Sequence, residues 1–355
     1  MEKKTILRDS NIELLRILAI LSVIVCHYNN PGMGGGLKYV LPGSINQYLL
    51  YFIMSVCVSA VDLFIIITGY YMCRSNKIRL VKPLQLLLQV VFFSFVIYIT
   101  RVILHTTPFS VRALFRALIP ANWFVILYIT LYLLSPYINK MIDSLSGKEL
   151  QKLVLIAFLL FSVYPTLVDV SGEIIGWEWV GLSTIGAYGS QYGYQIVNFI
   201  LMYMIGAYLR NCSINCRKSH LTLFLIADVL FLGLWAALND KIGFFTERSA
   251  WEYCNPLLIL EAASLFLLFH SFRIKNSVII NKLAAGAFTV YLLHMQLIQF
   301  LNIEKFVTGN PVVMLLHLAV ASCVIYGICW IVYLIYDSVM TPLFRFFEKR
   351  ICKYQ

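Results

Sequence analysis

Arg16 and His27 are the two residues whose types and spacing best suit chemistry. They stand eleven positions apart in NIELLRILAILSVIVCHY (11–28). At 100° and 1.5 Å per residue a helix brings them onto one face, about 16 Å apart along the axis. A guanidinium binds phosphate or carboxylate, and an imidazole with its ordinary pKa of about 6.5 is neutral at pH 7 and can take a proton from a hydroxyl. Each also has a plainer reading: Arg16 snorkels to the inner surface and holds the N-terminus inside, and His27 is an interfacial polar residue. The turn PGMGGG (31–36) directly follows His27. Its glycines either let a substrate approach the imidazole closely or make a flexible loop.

Four further ionisable residues lie inside apolar runs: Asp62, Asp228, Glu261 and His294. Charge at bilayer depth costs several kcal/mol unless paired or hydrated, so each is a functional-site candidate. Glu261 and His294 lie at similar distances on either side of one cytoplasmic turn, which predicts a Glu–His pair at one depth, an internal clamp in preference to a proton relay. Arg16 is the expected partner of Asp62; Asp228 has none. Asn122 and Trp123 open an apolar run at its outer end, and Tyr128 and Tyr132, four apart, share a helix face. Asn122, Trp123 and Tyr128 are the candidate substrate-binding residues, with Tyr128 and Asn122 also the candidate oxyanion donors. Arg112 and Arg116 share one face of a short outer amphipathic segment, suited to anionic headgroups or an anionic glycan carrier.

The elements that position these residues follow from composition. Of 355 residues 60% are hydrophobic and 13% charged, with mean hydropathy +0.80, against about 45–50% and 25% in soluble domains. The chain is therefore expected to be an all-α, polytopic transmembrane helix bundle with the lipid bilayer as its first partner, one membrane domain over 1–355. Ten candidate helices fall near 12–28, 46–72, 82–104, 121–138, 150–168, 194–210, 219–238, 253–271, 285–302 and 312–337. The tails and even-numbered connections hold 20 Lys and Arg, the odd-numbered connections 7. That asymmetry puts both termini, 1–11 and 338–355, in the cytoplasm of a cell-membrane protein. It also accounts for the net charge of +11, so no nucleic-acid partner is expected. Nine cysteines, mostly within apolar runs and without paired ligand spacing, predict neither disulfides nor a metal. The N-terminal run lacks a small-residue cleavage site after His27 and is interrupted by Arg16, so it reads as a retained span. No internal repeat or matching pair of half-helices points to a secondary transporter.

The sequence resembles acyltransferase family 3, especially the branch associated with bacterial surface polysaccharides. The matching pieces are NIELLRILAILSVIVCHY (11–28), VDLFIIITGYYM (61–72), NWFVILYITLYLLSPYIN (122–139), LMYMIGAYLR (201–210) and INKLAAGAFTVYLLH (280–294). The resemblance implies an integral-membrane enzyme that moves an acyl group, commonly acetyl, from cytoplasmic acyl-CoA to a sugar hydroxyl of a surface or lipid-linked glycan. It maps the family's essential Arg and His onto Arg16 and His27. Thr68 stands where the family usually has Ser, and Lys82-Pro83 matches the family's basic segment only loosely. An anionic donor arriving from inside is expected to meet Arg16 and the cytoplasmic group Arg74, Lys77, Arg79 and Lys82. His27 then acts as base, or carries the acyl group transiently. The competing expectation is a glycan or lipid transporter whose buried charges line a path.

Overall fold

The computed structural model describes residues 8–177, 179–212, 214, 216–242 and 249–351. Helix accounts for 76% of the chain, and no strand occurs among the described residues. The helices are α1 (Ser10–Asn29), α2 (Ile45–Cys57), α3 (Ala60–Met72), α4 (Val81–Ile103), α5 (Val111–Ala117) and α6 (Trp123–Asp143). They continue as α7 (Gly147–Phe158), α8 (Tyr164–Ile175), α9 (Ile196–Asn211) and α10 (Lys218–Ile242). The last four numbered helices are α11 (Pro256–His270), α12 (Val278–Ala285), α13 (Ala287–Ile298) and α14 (Pro311–Ile351); two short helical turns, Gly36–Tyr39 and Ile303–Val307, are left unnumbered. A single π-turn, Leu159–Val163, joins α7 to α8.

By length and apolarity the described chain has seven membrane-crossing helices, or eight if the bent pair α12–α13 is one span, against the ten expected. The difference lies in α9 and α11, which are apolar but have 16 and 15 residues, about 24 and 22 Å at 1.5 Å per residue, short of a ~30 Å hydrocarbon core. Both occupy the centre of the bundle: Leu201, Met202, Tyr203, Leu258, Ile259, Ala262 and Phe266 are fully buried. Their surroundings are protein, so lipid thickness does not set their length. The expected span near 46–72 is interrupted between α2 and α3. The one near 285–302 begins earlier, at Val278, and bends by 56° at Gly286. The last helix continues unbroken to Ile351, beyond the expected end of its span.

Polar side chains mark where helices start. Ser44 caps α2, Asn122 caps α6, Asn255 caps α11 and Ser277 caps α12, each accepting from a first-turn N–H. Ser146 and Glu149 form a reciprocal capping box on α7. The tightest crossing is α3 on α9. A Cβ on Gly69 would lie 2.2 Å from the Tyr203 carbonyl oxygen, and one on Gly206 2.2 Å from that of Ile66. Only glycine permits this approach, which replaces the hydrophobic drive absent between helices in lipid. α1 runs through the middle of the bundle, touching α2, α3, α11, α12, α13 and α14. α4 is peripheral and tied to the bent pair by Gln89–Thr289 (2.8 Å) and Arg101–Gln296 (2.8 Å).

Candidate active site

α1 is one unbroken helix from Ser10 to Asn29, so Arg16 and His27 share it as expected. Its C-terminal end is closed by the glycine turn. The Gly34 N–H donates to the His27 carbonyl (2.9 Å), and a Cβ on Gly34 would meet the Tyr28 carbonyl oxygen at 2.4 Å. Those glycines therefore fold the chain tightly over the end of α1 and hold His27 in place.

His27 touches a second imidazole. Its Nδ1 lies 2.8 Å from His294 Nε2 and 2.9 Å from the carbonyl oxygen of Val23, while His294 Nδ1 lies 3.0 Å from the carbonyl oxygen of Val290. A carbonyl oxygen only accepts, so both Nδ1 atoms must carry hydrogen. His294 Nε2 is then an acceptor, and His27 Nδ1–H is shared between it and Val23. The consequence is that His27 Nε2 holds the free lone pair, with no partner among the described residues. This is the geometry of a base whose tautomer is fixed by a second residue.

The expected Glu261–His294 pair is not formed. The bent pair, capped by Ser277, starts at Val278, seven residues before 285, so His294 lies sixteen residues into it, close to the end of α13 and level with the end of α1. Glu261 accepts from Ser59 Oγ (2.9 Å) instead. Nor does Arg16 pair with Asp62. Arg16 reaches Glu13, one turn back on α1 (3.1 Å), which also lies 3.8 Å from Arg8. Asp62 accepts from Asn198 on α9 (3.3 Å), because the α3–α9 crossing sets the two starts together. Asp228 is buried, and neither carboxyl oxygen has a hydrogen-bond partner among the described residues.

A cavity of about 530 Å³ runs along α1 between α3, α4, α6 and the bend of α12–α13. Arg8, Glu13, Arg16 and Lys82 line one end. Val23, Phe124 and Tyr291 line the other, and Thr68 and Tyr128 lie between. Val23 is one turn before His27 and Tyr291 one turn before His294. The lining thus stops one turn short of the imidazole pair. Of the expected donor-binding residues, Arg16 and Lys82 line the cavity; Arg74 is exposed past the end of α3 and does not. Tyr128 belongs to the cavity with Arg16, away from Asn122 and Trp123. Asn122 Oδ1 accepts from the Val125 N–H that it caps (3.1 Å) and from Tyr291 OH (3.1 Å), and the Tyr291 ring lies 6.2 Å from that of His294. Trp123 sits in an aromatic group with Tyr194 (4.4 Å) and Tyr253 (6.1 Å). The described ends of α5 leave Arg112 and Arg116 exposed.

His294, Glu13 and Tyr291 are the neighbours of the site that sequence reasoning did not assign to it. Glu13 carried a legible signal, since an acid three residues before Arg16 on a helix must face it.

A family model described as an acyltransferase domain matches residues 9–334, nearly the whole chain. No curated protein and no solved structure matches it.

Proposed function

The chain belongs to acyltransferase family 3, and on that premise we propose that this multi-pass membrane acyltransferase takes an acetyl group from cytoplasmic acetyl-CoA and places it on a sugar hydroxyl of a surface or lipid-linked glycan. In this reading the short buried helices α9 and α11 also cross, giving ten spans with both termini cytoplasmic. The observation that carries the reading is the His27–His294 pair one turn beyond a cavity whose opposite end bears Arg8, Arg16 and Lys82.

The donor's phosphates meet the basic end, and the pantetheine arm follows the cavity along α1 towards His27. Charge-assisted, bidentate pairing to phosphate suits Arg16, while Lys82 and Arg8 supply charge without that geometry. His27 Nε2 takes the proton of the acceptor hydroxyl as its oxygen attacks the thioester carbonyl. The C–O bond forms and the carbonyl electrons move onto oxygen. Their return breaks the C–S bond, and the leaving thiolate takes the proton back from His27. During this cycle His27 is transiently an imidazolium, and its Nδ1–H bond to His294 Nε2 strengthens because the donor is then charged. His294 is a positioning residue. Asn122 and Trp123, on the far side of Tyr291, lie where the acceptor approaches.

The test is reconstitution of purified protein in liposomes with radiolabelled acetyl-CoA on one side and glycan stripped of its esters on the other. Label should appear in base-labile ester on the glycan with stoichiometric CoA release. Glycan movement across the bilayer without CoA release would replace this reading with transport.

A further inference from the structure

Beyond the histidine pair Trp123 belongs to a group of aromatic rings, none of whose other members the chemistry above uses. Trp123 comes from the start of α6, Tyr194 from the turn before α9, and Tyr253 from the loop before α11. Trp123 and Tyr253 are stacked at 21°, and Tyr194 stands edge-on to both, at 4.4 and 5.1 Å. Aromatic residues of a membrane belt sit singly on the outside of a bundle. These converge from three separate elements and keep open faces, Trp123 being 37% and Tyr194 47% exposed.

The turn that presents Tyr194 is held under strain. Gly189, Gln191, Tyr192 and Gly193 all have left-handed φ, of 71°, 49°, 60° and 77°, and for Gln191 and Tyr192 this is an unfavourable backbone. Buried contacts enforce it. Ser190 Oγ donates to Glu252 (2.7 Å), Ser190 N–H donates to Asp169 (3.1 Å), and Tyr253 N–H donates to the Tyr192 carbonyl (3.1 Å). Gly193 lies so close that a Cβ would stand 2.6 Å from Cys254 N. The strain therefore locks the position of Tyr194 against Tyr253.

We infer that the exposed rings of Trp123 and Tyr194, backed by the half-buried Tyr253, form the platform on which a neutral pyranose ring of the acceptor stacks; this rests on the acyltransferase reading. The electron-rich face of an aromatic ring attracts the weakly positive C–H hydrogens of one face of a pyranose. The platform is continuous with the chemistry. Trp123 follows Asn122, Asn122 is bonded to Tyr291, and the Tyr291 ring adjoins His294. None of the residues that build the platform is a cation, so it offers no partner to an anionic sugar.

The experiment pairs a Leu and a Phe substitution at two positions, Tyr194→Leu with Tyr194→Phe and Trp123→Leu with Trp123→Phe, so that one misfolded variant does not decide the result. Only variants that bind acetyl-CoA like the parent are compared. Two readouts are taken with oligosaccharide fragments of the host's surface glycan, stripped of esters: saturation transfer from protein to sugar C–H protons without acetyl-CoA, and the acceptor KM of acetyl transfer. The Leu variants should lose saturation transfer and raise acceptor KM by roughly three- to tenfold, from the usual worth of an aromatic contact, with acetyl-CoA KM unchanged. The Phe variants should retain both. Absence of saturation transfer to the parent, or Leu and Phe variants behaving alike, overturns the platform. Saturation transfer that follows the Leu–Phe contrast in a protein that transfers no acetyl group upholds the platform and removes the enzyme reading instead.

Discussion

Replacing His294 by alanine removes the acceptor that holds His27 Nδ1–H, 2.8 Å away, and leaves His27 itself intact. In the resting enzyme the loss is small, because Val23 still accepts the same hydrogen at 2.9 Å. In the proposed transition state His27 carries positive charge, and a hydrogen bond from a charged donor is worth about 1.5–3 kcal/mol. The expected fall in kcat is therefore about 10–150-fold, with the KM for acetyl-CoA unchanged because the lining of the donor cavity is untouched. His27→Ala removes the base and should cost about 10²–10⁴-fold, and the double variant should be little worse than His27→Ala, since His294 acts only through His27. His294→Gln, whose amide oxygen can accept the same bond, should recover part of the loss. The assay is single-turnover acetyl transfer at matched concentrations of monodisperse protein, with CoA binding measured separately. A His294→Ala variant that folds, binds CoA and transfers at the parental rate would refute the reasoning. So would additive losses in the double variant, which would mean that His294 acts independently.

Arg16→Ala should weaken CoA binding by an order of magnitude or more while leaving the folded yield intact, and Arg16→Lys should restore only part of it because one ammonium cannot make a bidentate contact; isothermal titration with CoA checks this. Glu252, in the loop before α11, is pushed up to about 8 by burial, with Asp169 and Glu173 adding to the rise. The folded protein then binds a proton that the unfolded chain releases near the ordinary carboxylate range, so thermal stability should fall as pH rises from about 4.5 to 8. Glu252→Gln should flatten that part of the profile, and an unchanged slope would count against the burial argument. Gly206→Ala forces a methyl into the Ile66 carbonyl and should lower stability by roughly 1–3 kcal/mol, read as a lower melting temperature in detergent. Cysteine at Met33 should react with an impermeant thiol reagent on intact cells and cysteine at Asn76 should not; the reverse pattern would invert the proposed topology.

Hydropathy alone located most helices and the α1 stripe, because twenty-residue apolar runs have few alternative structures in lipid. It misjudged the bent pair. Asn281 and Lys282 make INKLAAG look like a connection, whereas Ser277 caps a helix that already contains them. That error of seven residues shifted His294 by about 10 Å, a third of the hydrocarbon core, away from its true partner. Pairings made by close helix crossings, such as Asp62 with Asn198, depend on which glycines meet, and a single sequence does not reveal that. The aromatic platform was less legible still. Trp123 stood out, but Tyr194 and Tyr253 read as the first residues of the expected spans 194–210 and 253–271, whereas both precede their helices, which begin at Ile196 and Pro256, and only the folded loops join them.

His27 and His294 are 267 residues apart, in α1 and α13. At a synthesis rate of about 5–20 residues per second, His27 is inserted roughly 13–53 s before its partner emerges from the ribosome. Throughout that interval the His27 Nδ1–H has only the Val23 carbonyl, on its own helix, to hold it. On the proposed mechanism a chain that stops before His294 would transfer acyl groups no faster than the His294→Ala variant, so the growing chain gains its full base only when the second imidazole arrives.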